Sequence, residues 1–306
     1  MSPPRSFRVG TRTSPLAMRQ TQIVLDLLAQ HHPGVRLDVV GIKTRGDVQQ
    51  SAPLESLGRG VFVKEIEAAL LRGEIDLAVH SLKDMPTDPT PGLAIVAYPP
   101  RDDPRDALIS RHNLPLERLP PGARVGTSSS RRAAQVLAIR PDVVARPLRG
   151  NVDTRLRKAL TREYDAIVIA AAGVLRLGLG ERITQYLAPE VCLPEAGQGA
   201  LAVQARADDG EATRLLSAID DVATRQAVVA ERAVVSALGG GCRVPIAALA
   251  QVKGEMLEAQ GLVASADGRR LVRARALGRR EAPEAVGREL ALKLLEMGAK
   301  DVLAEA

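Results

Sequence analysis

The tetrapeptide RVGT occurs twice, at residues 8–11 in RVGTRTSPLA and at 124–127 in RVGTSSSRRAAQ, and each copy leads into a helix. After the first, Ser14 supplies an N-cap and Pro15 the first helical residue, and the helix runs to about His31, where HHPG stops it. After the second, Thr127, Ser128, Ser129 and Ser130 crowd the capping region before a helix from about Arg131 to Ile139, ended by Arg140 and Pro141. Each half also carries a second shared phrase, RGEIDLAVHSLKD at 72–84 and TREYDAIVIAAAGV at 161–174. Both read as a helix end, an Asp and a short apolar run suited to a buried parallel strand. The repetition predicts two α/β domains on one plan, with the switch between them near YPPRDDPRD, residues 98–106.

In open α/β sheets, ligands gather beyond the carboxyl ends of the strands. The loops expected there are TRTS (11–14), HSLKD (80–84), TSSSRR (127–132), RGNVDTR (149–155) and AAGVLR (171–176). They carry Arg12, Lys83, Arg131, Arg132, Arg149, Arg155 and Arg176. Arg131, Arg132 and Arg155 fall in or beside the first turn of a helix, where the macrodipole is positive and disfavours a cation by roughly 0.3–1 kcal/mol. Free N–H groups at helix starts bind anions instead, so a strongly anionic ligand between two facing helix starts would reconcile the cations with the dipole. Phosphate fits poorly, because no GxxxxGKS/T motif is present and LGRGVFVK at 57–64 breaks a GxGxxG pattern at Val63. A ligand with several carboxylates suits the planar fork of arginine.

Composition removes other classes. The net charge of +6 favours an anionic partner, yet aromatics make up only 2% of the residues and Trp is absent, so the stacking platforms of single-strand binders are missing and no nucleic-acid partner is expected. The longest apolar runs, such as AIVIAAAGVL from Ala166, fall short of the roughly 20 residues of a membrane span, and no membrane partner is expected. The N-terminal MSPPRSFRVG has no apolar core followed by a small-residue cleavage site, so the expectation is a cytoplasmic protein.

Residues 221–238 read as a helix, with Asp220 or Asp221 as its cap and the glycines at 239–241 as its end. Cys242 follows at once in GGGCRVP, on a loop whose glycines allow close backbone approach, whereas Cys192 in VCLPEAGQGA reads as a structural thiol. Asp84, beside Lys83 at a strand end facing a basic cleft, would stay ionised and could stabilise a cation or shuttle a proton. His31, His32, His80 and His112 have no metal-ligand spacing; no metal is expected, and His80 reads as a packed residue.

Ten segments in order, among them VGTRTSPLA, KTRGD (43–47), FVKEIE (62–67), DLAVHSLKDMP (76–86), RDDPRDALIS (101–110), VGTSSSRR (125–132), LRGNVDTR (148–155), LPEAGQGAL (193–201) and AERAVVSALGGGCRVPI (230–246), resemble the porphobilinogen deaminase family, most closely over about 7–250. The resemblance implies a transferase of tetrapyrrole biosynthesis, acting as a monomer. It also implies two periplasmic-binding-protein-like domains, 1–99 with 200–217 and 100–199, and a small C-terminal α/β domain, 222–306. It places a dipyrromethane cofactor on Cys242 as a thioether, extended by four porphobilinogen units with loss of ammonia and then hydrolysed to hydroxymethylbilane. By the same resemblance Lys83, Asp84, Ser129, Arg131 and Arg132 contact the cofactor, and Arg12, Ser14, Arg149, Arg155 and Arg176 handle incoming porphobilinogen and the chain. Asp84 is the catalytic residue, and the loop from about Lys43 to Gly60 is a lid. Ser130, Glu195 and Gly239, the last making three glycines before the cysteine, depart from the family pattern, and Glu195 is expected to act on cleft electrostatics.

Overall fold

The computed structural model describes residues 6–48, 60–239 and 245–304. From the N-terminus the elements are β1 (Ser6–Arg12), α1 (Pro15–His31), β2 (Arg36–Ile42), α2 (Arg45–Val48), α3 (Lys64–Leu71), β3 (Leu77–Ser81), β4 (Leu93–Ala97), β5 (Asp106–Ser110), β6 (Arg124–Gly126), α4 (Ser130–Ile139), β7 (Val144–Arg146), α5 (Val152–Ala159), β8 (Ala166–Ala170), α6 (Ala171–Arg176) and β9 (Gln185–Leu187). The chain continues through β10 (Leu201–Arg206), α7 (Gly210–Ser217), α8 (Val222–Ala237), β11 (Ile246–Lys253), β12 (Met256–Ala264), β13 (Leu271–Arg279), α9 (Pro283–Leu294) and α10 (Lys300–Ala304).

These elements divide into two compact units, 1–102 with 200–225 and 103–199 with 226–306. The first holds a sheet ordered β2-β1-β3-β10-β4, and the second a sheet ordered β7-β6-β8-β5-β9. In both, the RVGT strand lies parallel to its two neighbours, and the fourth strand runs antiparallel to the third. The registers coincide as well: Val9 and Gly10 face Leu77 and Ala78, and Val125 and Gly126 face Ala166 and Ile167. The fourth strand is contributed out of order each time, by β10 returning late in the chain and by β5 entering early. The chain is thus α/β, with two like sheets and a third antiparallel sheet, β11-β12-β13, covered by α9.

The repeated phrases have a structural cause. In β1, Arg8 N and Nε both donate to Asp76 Oδ2, at 2.9 and 3.0 Å, and Asp76 N donates back to Arg8 O. In β6, Arg124 N and Nε both donate to Asp165 Oδ2 at the same distances, and Asp165 N donates back to Arg124 O. The Arg of RVGT and the Asp before each apolar strand are therefore one clamp made twice. The glycine is fixed too, because a Cβ on Gly10 would run into Ile75 and one on Gly126 would come within 2.7 Å of Tyr164. Burial pushes the Asp76 carboxyl up, but Arg8 and Arg206 outweigh it, while Arg124 is the main cause holding Asp165 well below the usual carboxylate range.

Asp76→Asn is accordingly expected to cost about 1.5–3 kcal/mol at neutral pH, the scale of charge-assisted hydrogen bonds. Because the folded-state pKa is depressed, this stabilisation is complete above the unfolded value near about 3.9 and is lost as pH falls through the folded value. Urea midpoints of the two proteins should converge below about pH 4; a gap that persists unchanged in acid would remove the ion pair as its cause.

Two sequence expectations change. AAGVLR, 171–176, is helix α6 rather than a loop, since Ala171, Ala172 and Val174 are buried directly after β8 and carry the chain into a turn of helix. The sequence also reads as a last helix from about Glu284 to Met297 ended by Gly298; the run does break there, where φ is 93°, but the chain resumes as α10 because Ala299 and Val302 still pack on the C-terminal core. Among the described residues no helix is long and apolar enough to cross a membrane.

Candidate active site

The site residues sit where parallel strands end. In the first unit, Arg12 closes β1 and Ser14 caps α1, its Oγ accepting from Ala17 N at 3.3 Å. β3 ends at Ser81 and passes into a 3₁₀ turn, Leu82–Asp84, that carries Lys83 and Asp84. Leu82 and Met85 are buried, so Lys83 and Asp84 are held half-buried between two apolar anchors. Leu82 N also donates to Ala200 O, and Gln20 Nε2 from α1 donates to Ser81 Oγ at 2.8 Å.

Arg12 already has an anion. Its Nη2 donates to Asp47 Oδ1 at 2.5 Å, its guanidinium lies 4.0 Å from the Phe62 ring centre, and Thr44 N and Oγ1 donate to Asp47 Oδ2. Burial raises the Asp47 carboxyl, but Arg12 and Thr44 hold it below its ordinary value. Next to this edge His80 is fully buried, and burial pushes it down to about 4, so it is neutral and packed. Of the lid expected over 43–60, residues 49–59 lie outside the described residues.

In the second unit, Ser129 caps α4, its Oγ accepting from Arg132 N, and Arg131 and Arg132 occupy the first turn. Ser128 Oγ donates to Leu148 O at 2.6 Å and accepts from Leu148 N, which ties this loop to the one carrying Arg149. Arg155, in the first turns of α5, donates from Nε to Gly150 O at 2.7 Å, and Arg176 at the end of α6 donates from Nη2 to Gly199 O at 2.7 Å. Glu231 of α8 holds the neighbouring loop, accepting from Gly197 N and from Ala250 N of β11. Ser129, Arg131, Arg132, Arg149, Arg155 and Arg176 therefore gather at one edge of the second sheet.

Sequence reasoning missed Asp106. Because β5 runs antiparallel to β8, its first residue pairs with Ala170 at the carboxyl end of the parallel strands, directly beside the arginines. Asp106 is wholly buried and receives Arg131 Nη1 on Oδ2 at 2.7 Å, with Arg132 Nε at 2.8 Å and Gln198 Nε2 at 2.9 Å on Oδ1. Burial alone would raise this carboxyl, but the two guanidiniums hold it well below the usual range. Two cations in a helix's first turn are thus answered in part by the protein's own carboxylate. A signal did exist: DALIS at 106–110 repeats the Asp-then-apolar pattern of DLAVH and DAIVI.

Arg131 is still not satisfied by this partner. Its Nε and Nη2 are buried with no hydrogen-bond acceptor among the described residues, although Nη1 also reaches Leu193 O at 2.7 Å. A buried guanidinium with two idle donors suits a carboxylate ligand, since each unmet donor costs about 1–3 kcal/mol. Of the departures from the family pattern, the charge of Glu195 acts on Arg131 and Ser130 opens α4. Cys192 is buried against the cluster, and burial first and Asp106 second push its thiol up to about 12, so it is inert. Cys242 lies outside the described residues.

Comparison with known proteins finds relatives over nearly the whole chain. Residues 7–214 match the model of the porphobilinogen deaminase dipyromethane cofactor binding domain, and residues 225–296 that of the porphobilinogen deaminase C-terminal domain. A porphobilinogen deaminase from Roseiflexus castenholzii is 49% identical over 98% of this chain and 99% of the relative. One from Stenotrophomonas maltophilia is 49% identical over 97% and 99%. Among solved structures, the periplasmic aliphatic sulphonate binding protein from Escherichia coli superposes with a TM-score of 0.38 at 18% identity, covering 76% of this chain and 70% of that one. One family model takes in the duplicated sheets with their arginine loops, the other takes in the C-terminal sheet, and relatives about half identical cover nearly all of the sequence: the chain belongs to the porphobilinogen deaminase family.

Proposed function

We propose that the chain joins four porphobilinogen molecules, each with loss of ammonia, onto a dipyrromethane held as a thioether on Cys242, and then releases hydroxymethylbilane by hydrolysis. The observation that carries this reading is Arg131, a buried guanidinium beside the Ser129 cap with two nitrogens, Nε and Nη2, whose N–H groups have no acceptor among the described residues. Every pyrrole of such a chain brings an acetate and a propionate, the acceptors those donors lack. When bound, the cofactor supplies the pyrrole carbon at which the growing chain is extended.

Lys83, Ser129, Arg131 and Arg132 are assigned to the cofactor carboxylates, with Asp106 fixing the two guanidiniums so that their free edges are pre-set. Arg12, Ser14, Arg149, Arg155 and Arg176 are assigned to incoming porphobilinogen and the lengthening chain. In this assignment a substrate carboxylate replaces Asp47 on Arg12, exchanging one ion pair for another and leaving no cation bare. Asp84 holds its carboxylate beside positive charge on the reacting pyrroles and takes and returns the proton. The three sheets support the division into domains 1–99 with 200–217, 100–199 and 222–306. The same reading has the enzyme acting in the cytoplasm as a monomer with no nucleic-acid partner, in keeping with its scarcity of aromatic residues.

Asp84→Ala tests the assignment. The expected protein carries the pyrrole mass on the peptide containing Cys242 but turns over at least about 100-fold more slowly, the lower range for loss of a general acid–base. Near-normal turnover removes Asp84 from the chemistry.

A further inference from the structure

Arg131 Nη1 serves two acceptors at once, Asp106 Oδ2 and Leu193 O, both at 2.7 Å. These two bonds decide where the other edge of the guanidinium, Nε and Nη2, is turned. Asp106 is itself gripped by Arg132 and Gln198, so its carboxylate is fixed from several sides. Leu193 O is a main-chain carbonyl outside any strand or helix, and its direction depends on what holds that peptide.

Gln135 holds it. This residue lies one turn along α4 from Arg131 and is only 1% exposed. Its Oε1 accepts from Leu193 N at 2.7 Å, and its Nε2 donates to Leu193 O at 3.0 Å and to Arg131 O at 3.3 Å. Arg273 Nη2 adds a longer bond to Oε1, 3.4 Å. One amide thus takes both main-chain groups of Leu193 and reaches back to the residue whose guanidinium uses the Leu193 carbonyl. Reversing the amide would set its donor against Leu193 N and Arg273 and its acceptor against two carbonyls, so a single orientation satisfies every neighbour. The Leu193 side chain packs with Ala134, Leu249 and Leu262, but apolar burial is non-directional and does not aim a carbonyl. A buried carboxylate at position 135 would lack the donor, and a methionine would lack both groups.

We propose that Gln135 is a positioning residue for Arg131: by fixing the Leu193 carbonyl it turns Arg131 Nε and Nη2 towards the carboxylate they bind. This role rests on the assignment of Arg131 to a pyrrole carboxylate, and Gln135 acts through Arg131 rather than on the ligand. A donor edge set before the ligand arrives costs nothing to orient when it binds, which is why a buried amide that contacts no ligand affects how well one is held.

The test compares full-length Gln135→Met with Leu290→Ala, a substitution at a wholly buried residue of α9 that lowers stability without touching this network. The first readout is the fraction of chain carrying the pyrrole mass when each protein is purified from a host that supplies porphobilinogen. The second is solvent exchange of the Arg131 Nε–H, followed by NMR of arginine-labelled protein in a Cys242→Ser background so that no pyrrole is present, the signal being identified by its absence from Arg131→Met protein. Gln135→Met is expected to lower the loaded fraction about threefold or more and to speed the Nε–H exchange about tenfold, the scale of one lost hydrogen bond. Leu290→Ala should leave both within about twofold of their starting values. Gln135→Glu, which keeps the acceptor for Leu193 N and loses the donor to Leu193 O, should act in the same direction and decides the matter if Gln135→Met does not fold. Unchanged Nε–H exchange in the Gln135 variants, or equal changes in Leu290→Ala, overturns the proposal while leaving the functional reading intact. Faster exchange with undiminished loading overturns it through that reading, since Gln135 would then steady an Arg131 that does not hold the cofactor.

Discussion

Cys242→Ser is expected to give a folded protein that carries no covalent pyrrole and has no measurable turnover. Thioether formation needs a thiolate, and an ordinary thiol with a pKa near about 8.5 supplies one in part at neutral pH, whereas a serine hydroxyl does not ionise there. Nor can the other cysteine substitute: Cys192 is buried, donates Sγ–H to Asp106 Oδ2 at 3.3 Å, and has its thiol raised to about 12. Cys192→Ser should therefore keep the cofactor. Intact mass, peptide mapping around residue 242 and the colour reaction with Ehrlich's reagent distinguish the two variants. Pyrrole mass on Cys242→Ser protein would refute the attachment site, and its loss from Cys192→Ser alone would transfer the role to the buried thiol.

Much of this arrangement could be read before any coordinates, because repetition in sequence fixes repetition in space. RVGT followed by a capped helix, and an Asp followed by an apolar run, place β1, α1, β3, β6, α4 and β8, and strand direction then decides which loops share an edge. The reason for the Arg and the Asp was not legible. Their pairing spans 68 residues in one half and 41 in the other, and only the sheet brings them together. Asp106 escaped notice for a related reason. It begins the strand that crosses out of order, so its position beside Arg131 depends on the antiparallel β5–β8 pairing, and RDDPRDA taken alone is merely a charged linker. The electrostatic argument from cations in a first helical turn correctly demanded an anion, but could not tell a ligand from a buried side chain. The end of the chain posed another limit. Gly298 breaks the helix as glycine should, yet tertiary burial of Ala299 and Val302 outweighs that local signal and restarts it.

The second large effect is expected at that missed residue. Asp106→Ala removes the only carboxylate that Arg131 and Arg132 touch among the described residues and leaves two guanidiniums, each with a side chain about 5% exposed or less, without an anion. Removing one partner of a buried pair costs about 3–5 kcal/mol, more than the pair contributes over an apolar replacement, because the stranded charge stays desolvated. Gln198 would lose its acceptor as well, since its Nε2 divides between Asp106 and Pro104 O. The unfolding free energy read from denaturant curves should fall by that amount at neutral pH and by progressively less in acid. Asp106 has a depressed folded-state pKa, so the wild type loses its contribution as pH drops below the unfolded value near about 3.9. Adding Arg131→Met to Asp106→Ala separates the two roles of the cluster. If the carboxylate serves only to neutralise a buried cation, the double variant regains about half or more of the lost stability, because one stranded charge is gone. It should still fail to hold the cofactor, because Arg131's idle donors have gone with the guanidinium. Recovery of stability together with normal pyrrole loading would make the Arg131–Asp106 pair an internal strut and leave Lys83, Ser129 and Arg132 to hold the cofactor carboxylates alone.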